Sequence, residues 1–207
     1  MSKETIQIRE ISDIMDDFLF PWLDLYETAF PSHEKMLVSS LLKILKNKSQ
    51  GEDGNMFFLA ATDENGKFIG LSLFEVSKEC PAAFLWYLAV TPEYRNKGIG
   101  AVLYNSVIER LQPYKLKAAI FEVEIPSECK TEEKSQLALR RIQFYKRQGA
   151  LLMGGIHYLQ SVGSHEPLTP MYIMVHPFEK CSPGEAFNLA HCIFGQNLTQ
   201  TGVITLE

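Results

Sequence analysis

The stretch from Ala82 to Val90 constrains the fold most strongly, because every residue in it is apolar. A strand without polar residues on either face is typical of the interior of a sheet that helices cover on both sides. The polar turn Arg95–Gly100 follows this strand, and apolar residues at helical spacing then predict a helix from about Gly98 to Leu111. The sequence therefore predicts a central strand that leads through a glycine-containing turn into a helix.

The remaining patterns predict an α/β fold with a central mixed sheet of about seven strands flanked by helices. Asn65-Gly66 is a strong hairpin signal, because this pair adopts positive φ at low cost. Alternating or continuous apolar residues predict strands at Thr5–Ile11, Met56–Thr62, Phe68–Ser77, Lys117–Ile125, Ala150–Ser161 and Thr169–Val175. Helical spacing predicts helices at Ile14–Thr28, after the caps Ser12 and Asp13, then after a cap at Ser32, and at Glu132–Gln148.

The end of the chain carries its own helix signal. Ser182-Pro183-Gly184-Glu185 is a capping box with proline at the first helical position, so a helix is predicted to about Phe194. Val203–Leu206 predicts a short strand. We therefore expect one domain over residues 1–176 and a C-terminal helical extension over residues 177–207.

Composition limits the classes of partner. The 207 residues suffice for one large core, and 46% hydrophobic and 22% charged residues are ordinary for a globular protein. A formal net charge of -5 argues against a nucleic-acid partner, because proteins that bind nucleic acid usually carry a basic stripe. No apolar run approaches the roughly 20 residues that span a bilayer, so no membrane partner is expected.

The four cysteines are Cys80, Cys129, Cys181 and Cys192, and no two of them form a Cys-x-x-Cys pair. This scattered pattern predicts neither a metal site nor a disulfide framework. The residues from Met1 to Glu10 are polar and charged, unlike a signal peptide. Together these features predict a cytoplasmic protein with reduced thiols.

The turn at Arg95–Gly100 has the properties of a phosphate-binding loop. A helix N-terminus presents unpaired N–H groups and the positive end of the helix dipole. Gly98 and Gly100 let the backbone approach a diphosphate, and Arg95 and Lys97 add cationic donors. A Walker A loop is excluded because Lys97 precedes Gly98, and a dinucleotide fingerprint is excluded because Leu103 stands where it needs a third glycine.

Arg95-x-x-Gly98-x-Gly100 resembles motif A of the GNAT superfamily of N-acetyltransferases, whose pattern is Arg/Gln-x-x-Gly-x-Gly/Ala. Phe144–Ala150 is similar to a second family segment, Phe/Leu-Tyr-x-x-x-Gly-Phe. The resemblance spans roughly residues 5–176. It implies a GNAT-like fold that uses acetyl-CoA as co-substrate and transfers its acetyl group to an amine.

The resemblance also implies roles for individual residues. The N–H of Leu88 would stabilise the oxyanion, Val90 would pair with the pantetheine arm, and Tyr145 would protonate the departing thiolate. Arg95 would support the pyrophosphate, whose backbone ligands would come from the rest of the turn: Asn96, Lys97, Gly98, Ile99 and Gly100.

The general base is less well defined by the sequence. Some family members carry a glutamate four residues before the oxyanion position, where this chain has Phe84. Glu122 and Glu124 lie on one face of the next strand, and Glu75 lies on the preceding strand. All three stay candidates. One family contact to coenzyme A is also in doubt, because Ala138 stands where an asparagine is common.

These features predict an acetyl-CoA-dependent N-acetyltransferase in which the amine attacks directly within a ternary complex. The alternative is a regulatory GNAT-like module that binds acyl-CoA without turnover. The acceptor would be a small-molecule or peptide amine, and a homodimer is possible. The acceptor pocket is expected near the two N-terminal helices, where Tyr26, Phe30, His33 and Glu34 fall.

Overall fold

In the computed structural model, residues 6–52, 54–160 and 168–207 are described, and they form eight strands and five α-helices. In chain order the elements are β1 Gln7–Ile11, α1 Leu19–Ala29, α2 Val38–Ser49, β2 Met56–Thr62, β3 Phe68–Val76, β4 Ala82–Val90, α3 Ile99–Leu111, β5 Ala118–Glu124, α4 Glu132–Arg147, β6 Leu151–Gln160, β7 Thr169–Pro177, α5 Pro183–Phe194 and β8 Leu198–Leu206.

The strands form one mixed sheet in the order β1-β2-β3-β4-β5-β7-β6-β8. Residues Ala82–Phe84 of β4 pair in parallel with Ala118–Ile120 of β5. The pairs β1–β2, β2–β3, β5–β7, β6–β7 and β6–β8 are antiparallel. The predicted α/β fold with a central mixed sheet flanked by helices is confirmed, with eight strands instead of about seven.

The chain divides into two compact units, and β4 contributes residues to both. The first unit contains the residues up to Val76 together with Leu85–Pro113. In its core, the apolar faces of α1 and α2 pack against one face of the sheet strands. The largest buried side chains of this core include Trp22, Tyr26, Leu41, Leu45, Phe58 and Leu71.

The second unit contains Ser77–Phe84 and Tyr114–Glu207. Helix α5 packs its Ala186, Leu189 and Ala190 into a core with residues of β4, β5, β6 and β7. Helix α4 contributes Tyr145, whose ring lies 4.4 Å from that of Phe121 on β5. Alternate residues of β5 therefore serve two different packing layers, because successive side chains of a strand point to opposite faces.

The first helix begins at Leu19, so the predicted start at Ile14 is wrong. The side chains of Asp13 and Asp16 accept hydrogen bonds from the backbone N–H groups of Met15 and Phe18, each at 2.8 Å. Such local bonds compete with helix formation. The Asp16 carboxylate also forms an ion pair with Arg9, which further holds this segment outside the helix.

The second helix begins at Val38, so the predicted cap at Ser32 is wrong. Ser32–Glu34 instead form one turn of 3-10 helix. The hydroxyl of Tyr87 accepts a hydrogen bond from the N–H of Met36 at 3.0 Å and donates one to the carbonyl of Glu34 at 2.9 Å. A side chain from a strand distant in sequence therefore holds the segment before α2.

The other elements match their predictions to within a few residues, although Thr5 and Ser161 lie outside the described residues. Gly66 has φ 77°, as the predicted hairpin requires. The predicted capping box of α5 is present, with Ser182 and Glu185 bonded reciprocally. Strand β8 begins at Leu198, five residues before the predicted Val203, and pairs with β6. The boundary at residue 176 between the main domain and the C-terminal extension stays a prediction.

Gly155 provides a test of the pairing between β6 and β8. It has φ +74°, and a Cβ atom there would collide with the carbonyl oxygen of Val203. We expect Gly155→Ala to lower the free energy of unfolding by about 2 to 3 kcal/mol, because it adds backbone strain and overpacking. Chemical denaturation measures this loss.

Gly184→Ala is the matched control. Gly184 lies in the first turn of α5, and a Cβ atom there meets no other atom within 4 Å. This substitution should leave stability unchanged or raise it by up to about 1 kcal/mol. Equal losses of stability in the two variants would contradict the proposed close approach of Gly155 to Val203.

Candidate active site

The turn between β4 and α3 lies in the first unit and contains the predicted cofactor-binding residues. Pro92–Tyr94 form a 3-10 turn, and the backbone then passes through the left-handed region at Asn96, with φ 62°, and at Gly98, with φ 83°. Helix α3 begins directly after Gly98. A Cβ atom on Gly98 would meet nothing within 4 Å, so the space beside this backbone is open.

The amides of this turn are available for an anion. The carbonyl of Gly98 accepts from the N–H groups of Ala101 and Val102 at 3.1 and 3.2 Å. In the part of the chain that the structure describes, no backbone carbonyl accepts from the amides of Lys97–Gly100. These donors stand at the positive end of the helix dipole, next to the exposed residues Arg95–Gly98, which fits a diphosphate group.

Cationic side chains surround the same turn. The Nε of Arg95 donates to the carbonyl of Val90 at 3.0 Å, which ties the arginine to the end of β4. The ammonium groups of Lys97 and Lys67 lie 4.8 and 5.3 Å from the ring centre of Tyr94. The charges are therefore positioned by contacts with a strand end and an aromatic face.

Strand β4 alternates between two environments above the turn. Tyr87 and Ala89 are buried in the core that α1 and α2 cover, whereas Leu88 and Val90 are half-buried. This packing fixes the backbone of the strand. The oxyanion role of the Leu88 amide and the pantetheine role of Val90 stay predictions.

An aromatic cluster occupies the region predicted to hold the acceptor. The ring of Tyr87 lies 4.9 Å from Tyr26 and 4.8 Å from Phe30. Burial raises the pKa of Tyr26, whose hydroxyl donates to the carbonyl of Met36 at 2.8 Å. The carboxylate of Glu34 lies 3.6 Å from the Nε2 of His33. These contacts hold the segment between α1 and α2.

Glu75, on β3 in the first unit, is one of the three candidate bases. Its carboxylate accepts a hydrogen bond from the indole N–H of Trp86 at 3.1 Å and one from the side-chain amide of Asn55 at 3.0 Å. Both donors are neutral nitrogen groups.

Glu122, on β5 in the second unit, lies in a more enclosed setting. Its Oε1 accepts from the hydroxyl of Tyr158, and its Oε2 accepts from the side-chain amide of Gln160. Burial raises the pKa of Glu122 above its usual value, while the two hydrogen bonds oppose this rise by favouring the charged form. The carboxyl group is therefore shifted toward the range in which a base serves near neutral pH.

Glu124 has a different partner. Its carboxylate forms an ion pair with the guanidinium of Arg141, which projects from α4. The Glu124 carboxylate is therefore already bonded to a cation. Glu122 and Glu124, two positions apart on β5, thus have unlike partners, because Glu122 bonds to β6 and Glu124 to α4.

Tyr145 lies on α4, one turn after Arg141. Its ring packs against Phe121 at 4.4 Å and Phe144 at 5.0 Å. Burial raises the pKa of Tyr145 to about 12, an effect that the charge of Arg141 partly offsets. The hydroxyl therefore stays protonated near neutral pH, as a proton donor must.

Phe84 occupies the position where some family members carry a glutamate. Its side chain is buried, and its ring meets that of Phe194 on α5 edge to face at 5.3 Å. The ring of Phe194 also lies 4.5 Å from Tyr158. The aromatic residue at position 84 therefore belongs to the packing of α5.

Sequence reasoning missed Tyr158 and Gln160 as partners of Glu122. The available signal was the spacing of Tyr158 and Gln160 on a mostly apolar strand, because i and i+2 share a face. Across the described ranges, no three His, Cys, Asp or Glu side chains are grouped to hold a metal ion, and no helix is long and apolar enough to cross a membrane. All four cysteines are free thiols.

Solved structures with the same fold include several acetyltransferases. A putative GNAT family acetyltransferase from Bacteroides thetaiotaomicron has a TM-score of 0.67 and 24% identity, over 91% of this chain and 98% of that one. An Elizabethkingia anophelis GNAT family acetyltransferase with acetyl-CoA bound has a TM-score of 0.56 and 14% identity, over 85% and 100%. At these identities the likeness shows the fold alone.

A third structure is the ribosomal-protein-S18-alanine N-acetyltransferase from Escherichia coli, with a TM-score of 0.55 and 17% identity over 86% of this chain and 97% of that one. No curated protein matches the chain significantly. The sequence model of the acetyltransferase (GNAT) family matches residues 13–150, which include β4, the turn, α3 and Tyr145. On this match, the chain belongs to the GNAT family of acetyltransferases.

Proposed function

We propose that this protein transfers an acetyl group from acetyl-CoA to an amine by direct attack in a ternary complex. The observation that carries the proposal is the set of amides from Lys97 to Gly100 at the start of α3. No backbone carbonyl of the described residues accepts from them, and the space beside Gly98 is open. These donors suit the pyrophosphate of coenzyme A. When bound, acetyl-CoA supplies the activated acetyl group as its thioester.

The residues of β4 complete the donor site in this proposal. The N–H of Leu88 stabilises the negative charge that develops on the thioester oxygen, and Val90 pairs with the pantetheine arm. Arg95 is held at the carbonyl of Val90 and adds a positive charge beside the diphosphate. The family match over these residues and the acetyl-CoA-bound structural neighbour support this donor.

Glu122 is the general base that we propose among the three candidates. An acceptor amine is protonated near neutral pH and must lose a proton before it attacks. Burial shifts the pKa of Glu122 upward, which makes the carboxylate a better proton acceptor. Glu124 is less suited to act as the base, because its carboxylate is already paired with the guanidinium of Arg141.

Tyr145 is the general acid in this proposal and protonates the thiolate of coenzyme A as it leaves. The hydroxyl is protonated at working pH, and packing against Phe121 and Phe144 fixes the ring. A proton donor placed in this way contributes about 10² to 10⁴ in rate.

The acceptor is a small-molecule or peptide amine, and the protein acts in the cytoplasm, where its free thiols stay reduced. An amine panel with acetyl-CoA tests the whole proposal, with release of free thiol as one readout and acetylated product mass as the other. Protection against heating by acetyl-CoA without turnover of any amine would favour the regulatory module instead.

Gly98→Ala and Arg95→Ala test the diphosphate site. A Cβ on Gly98 strains the left-handed backbone, and loss of Arg95 removes a cation, so each variant should bind acetyl-CoA about 10-fold more weakly or worse. Calorimetric titration with coenzyme A measures this change.

Gly66→Ala is the matched control for Gly98→Ala. Gly66 also has positive φ, 77°, and open space beside it, but it lies in the hairpin turn between β2 and β3. This variant should lose similar stability and keep its affinity for coenzyme A. Unchanged affinity in Gly98→Ala and Arg95→Ala would count against the site.

Tyr145→Phe tests the general acid. The ring packing with Phe121 and Phe144 is kept, so only the hydroxyl is removed. We expect kcat to fall by about 10² or more while the affinity for acetyl-CoA stays the same. Steady-state kinetics with the best amine measure both values, and an unchanged kcat would exclude this role.

Glu122→Gln tests the base and carries a stability readout. A carboxyl group whose pKa is raised in the folded state lowers stability as pH rises from its unfolded pKa through its folded pKa. The variant removes this cost, so its free energy of unfolding at neutral pH should equal or exceed that of the wild type while activity is lost. Loss of stability, or retained activity, would contradict the assignment.

A further inference from the structure

Two side chains of β6 bind the carboxylate of Glu122 from one direction. The hydroxyl of Tyr158 donates to Oε1 and the amide of Gln160 donates to Oε2. Tyr158 and Gln160 are two positions apart on one strand and therefore lie on the same face. Both oxygens of the carboxylate are thus oriented by residues of a single element.

We propose that Tyr158 and Gln160 are positioning residues that orient Glu122 for proton abstraction, a role that rests on the function proposed above. Neither residue touches the reacting atoms in this proposal. They act by fixing the direction of the carboxylate and by favouring its charged form.

The burial of these residues argues against a purely structural role. Tyr158 is 4% exposed and Gln160 is 7% exposed. A carboxylate only accepts hydrogen bonds, so the Nε2 of Gln160 must face Glu122 and its Oε1 must point away. Within the described part of the chain this Oε1 is buried and has no hydrogen-bond partner.

Such an arrangement is costly for stability. A buried polar atom without a partner forfeits its hydration, and well-packed apolar residues at the same positions would often be at least as stable. Gln160 pairs with Thr169 in the β6–β7 ladder and is itself buried. A polar pair kept at this cost is explained by what it does to Glu122.

Helix α5 packs against Tyr158 through the ring of Phe194. The ring of Phe194 lies 4.5 Å from that of Tyr158 and 5.3 Å from that of Phe84. The ring of Tyr158 therefore packs against α5 while its hydroxyl bonds to Glu122. Tyr158, Gln160 and Phe194 all lie beyond residue 150, where the family match ends, so this chain's later segment completes the surroundings of a residue inside the match.

The electrostatic consequence has a definite sign. Burial raises the pKa of Glu122, and the bonds from Tyr158 and Gln160 lower it; no charged side chain among the described residues contributes to the shift. Removing either donor therefore raises the pKa of Glu122 further. The fraction of enzyme with a deprotonated base then falls on the acid side of the pH profile.

Tyr158→Phe and Gln160→Met, each in the full chain, test the proposal. We expect kcat/KM at neutral pH to fall by about 10- to 100-fold, and the acid limb of its pH profile to move up by about one pH unit. A ¹³C NMR titration of the Glu122 carboxyl carbon reports the same pKa without any need for turnover. The affinity for acetyl-CoA should not change.

Tyr172→Phe is the matched control. Tyr172 lies on β7 next to Ile173, which is the register partner of Glu122, so its side chain points to the opposite face. This variant should keep the wild-type pH profile and the wild-type titration of Glu122. Gln160→Met keeps the test informative if Tyr158→Phe loses stability, and thermal unfolding identifies that case.

The outcomes separate the two proposals. An unchanged Glu122 titration in both test variants would overturn the positioning role, whatever the activity. An unchanged titration together with an inactive Glu122→Gln variant would leave the base assignment standing. A shifted titration in an enzyme that acetylates no amine would show that the pair controls Glu122 and that the proposed function has failed.

Discussion

The left-handed turn before α3 is the constraint on which the proposed cofactor site depends. Asn96 and Gly98 both have positive φ, and only glycine adopts such angles without strain. Two such residues within three positions turn the chain just before the helix, where Arg95–Gly98 are exposed and the space beside Gly98 is open. The strand that leads into the turn is held by the burial of Tyr87 and Ala89. The amides are thus fixed before any ligand arrives, which is what makes fixed donors effective in stabilising charge.

The three carboxylates that looked equivalent in the sequence are distinguished by their partners. Glu124 is paired with a guanidinium, Glu75 with two neutral nitrogen donors, and Glu122 with a hydroxyl and an amide. The guanidinium of Arg141 occupies the carboxylate of Glu124. The hydroxyl and the amide that bond to Glu122 are neutral donors, and burial raises the pKa of this carboxyl group. The choice of base therefore follows from contacts made by residues outside the motif itself.

The features that could be predicted from the sequence are those set by neighbouring residues. The apolar strand β4, the hairpin at Gly66 and the capping box at Ser182 each depend on a few consecutive positions. The starts of α1 and α2 could not be predicted, because Asp16 is held by Arg9 and the segment before α2 is held by Tyr87. The pairing of Glu122 with Tyr158 and Gln160 spans 36 and 38 positions, and no local pattern encodes a contact of that range.

The same physical effect prepares the proposed acid and the proposed base for opposite tasks. Burial disfavours the charged form of every ionisable group, so it raises the pKa of both Tyr145 and Glu122. For a phenol this shift secures the proton that must be given to a thiolate. For a carboxyl group it brings the proton affinity closer to that of an amine. Arg141 lies one turn from Tyr145, and its charge partly offsets the rise in the pKa of this tyrosine. The same guanidinium forms an ion pair with Glu124, so that carboxylate is already bonded. Two groups of different intrinsic acidity thus acquire complementary proposed roles from the same effect, burial, in separate surroundings.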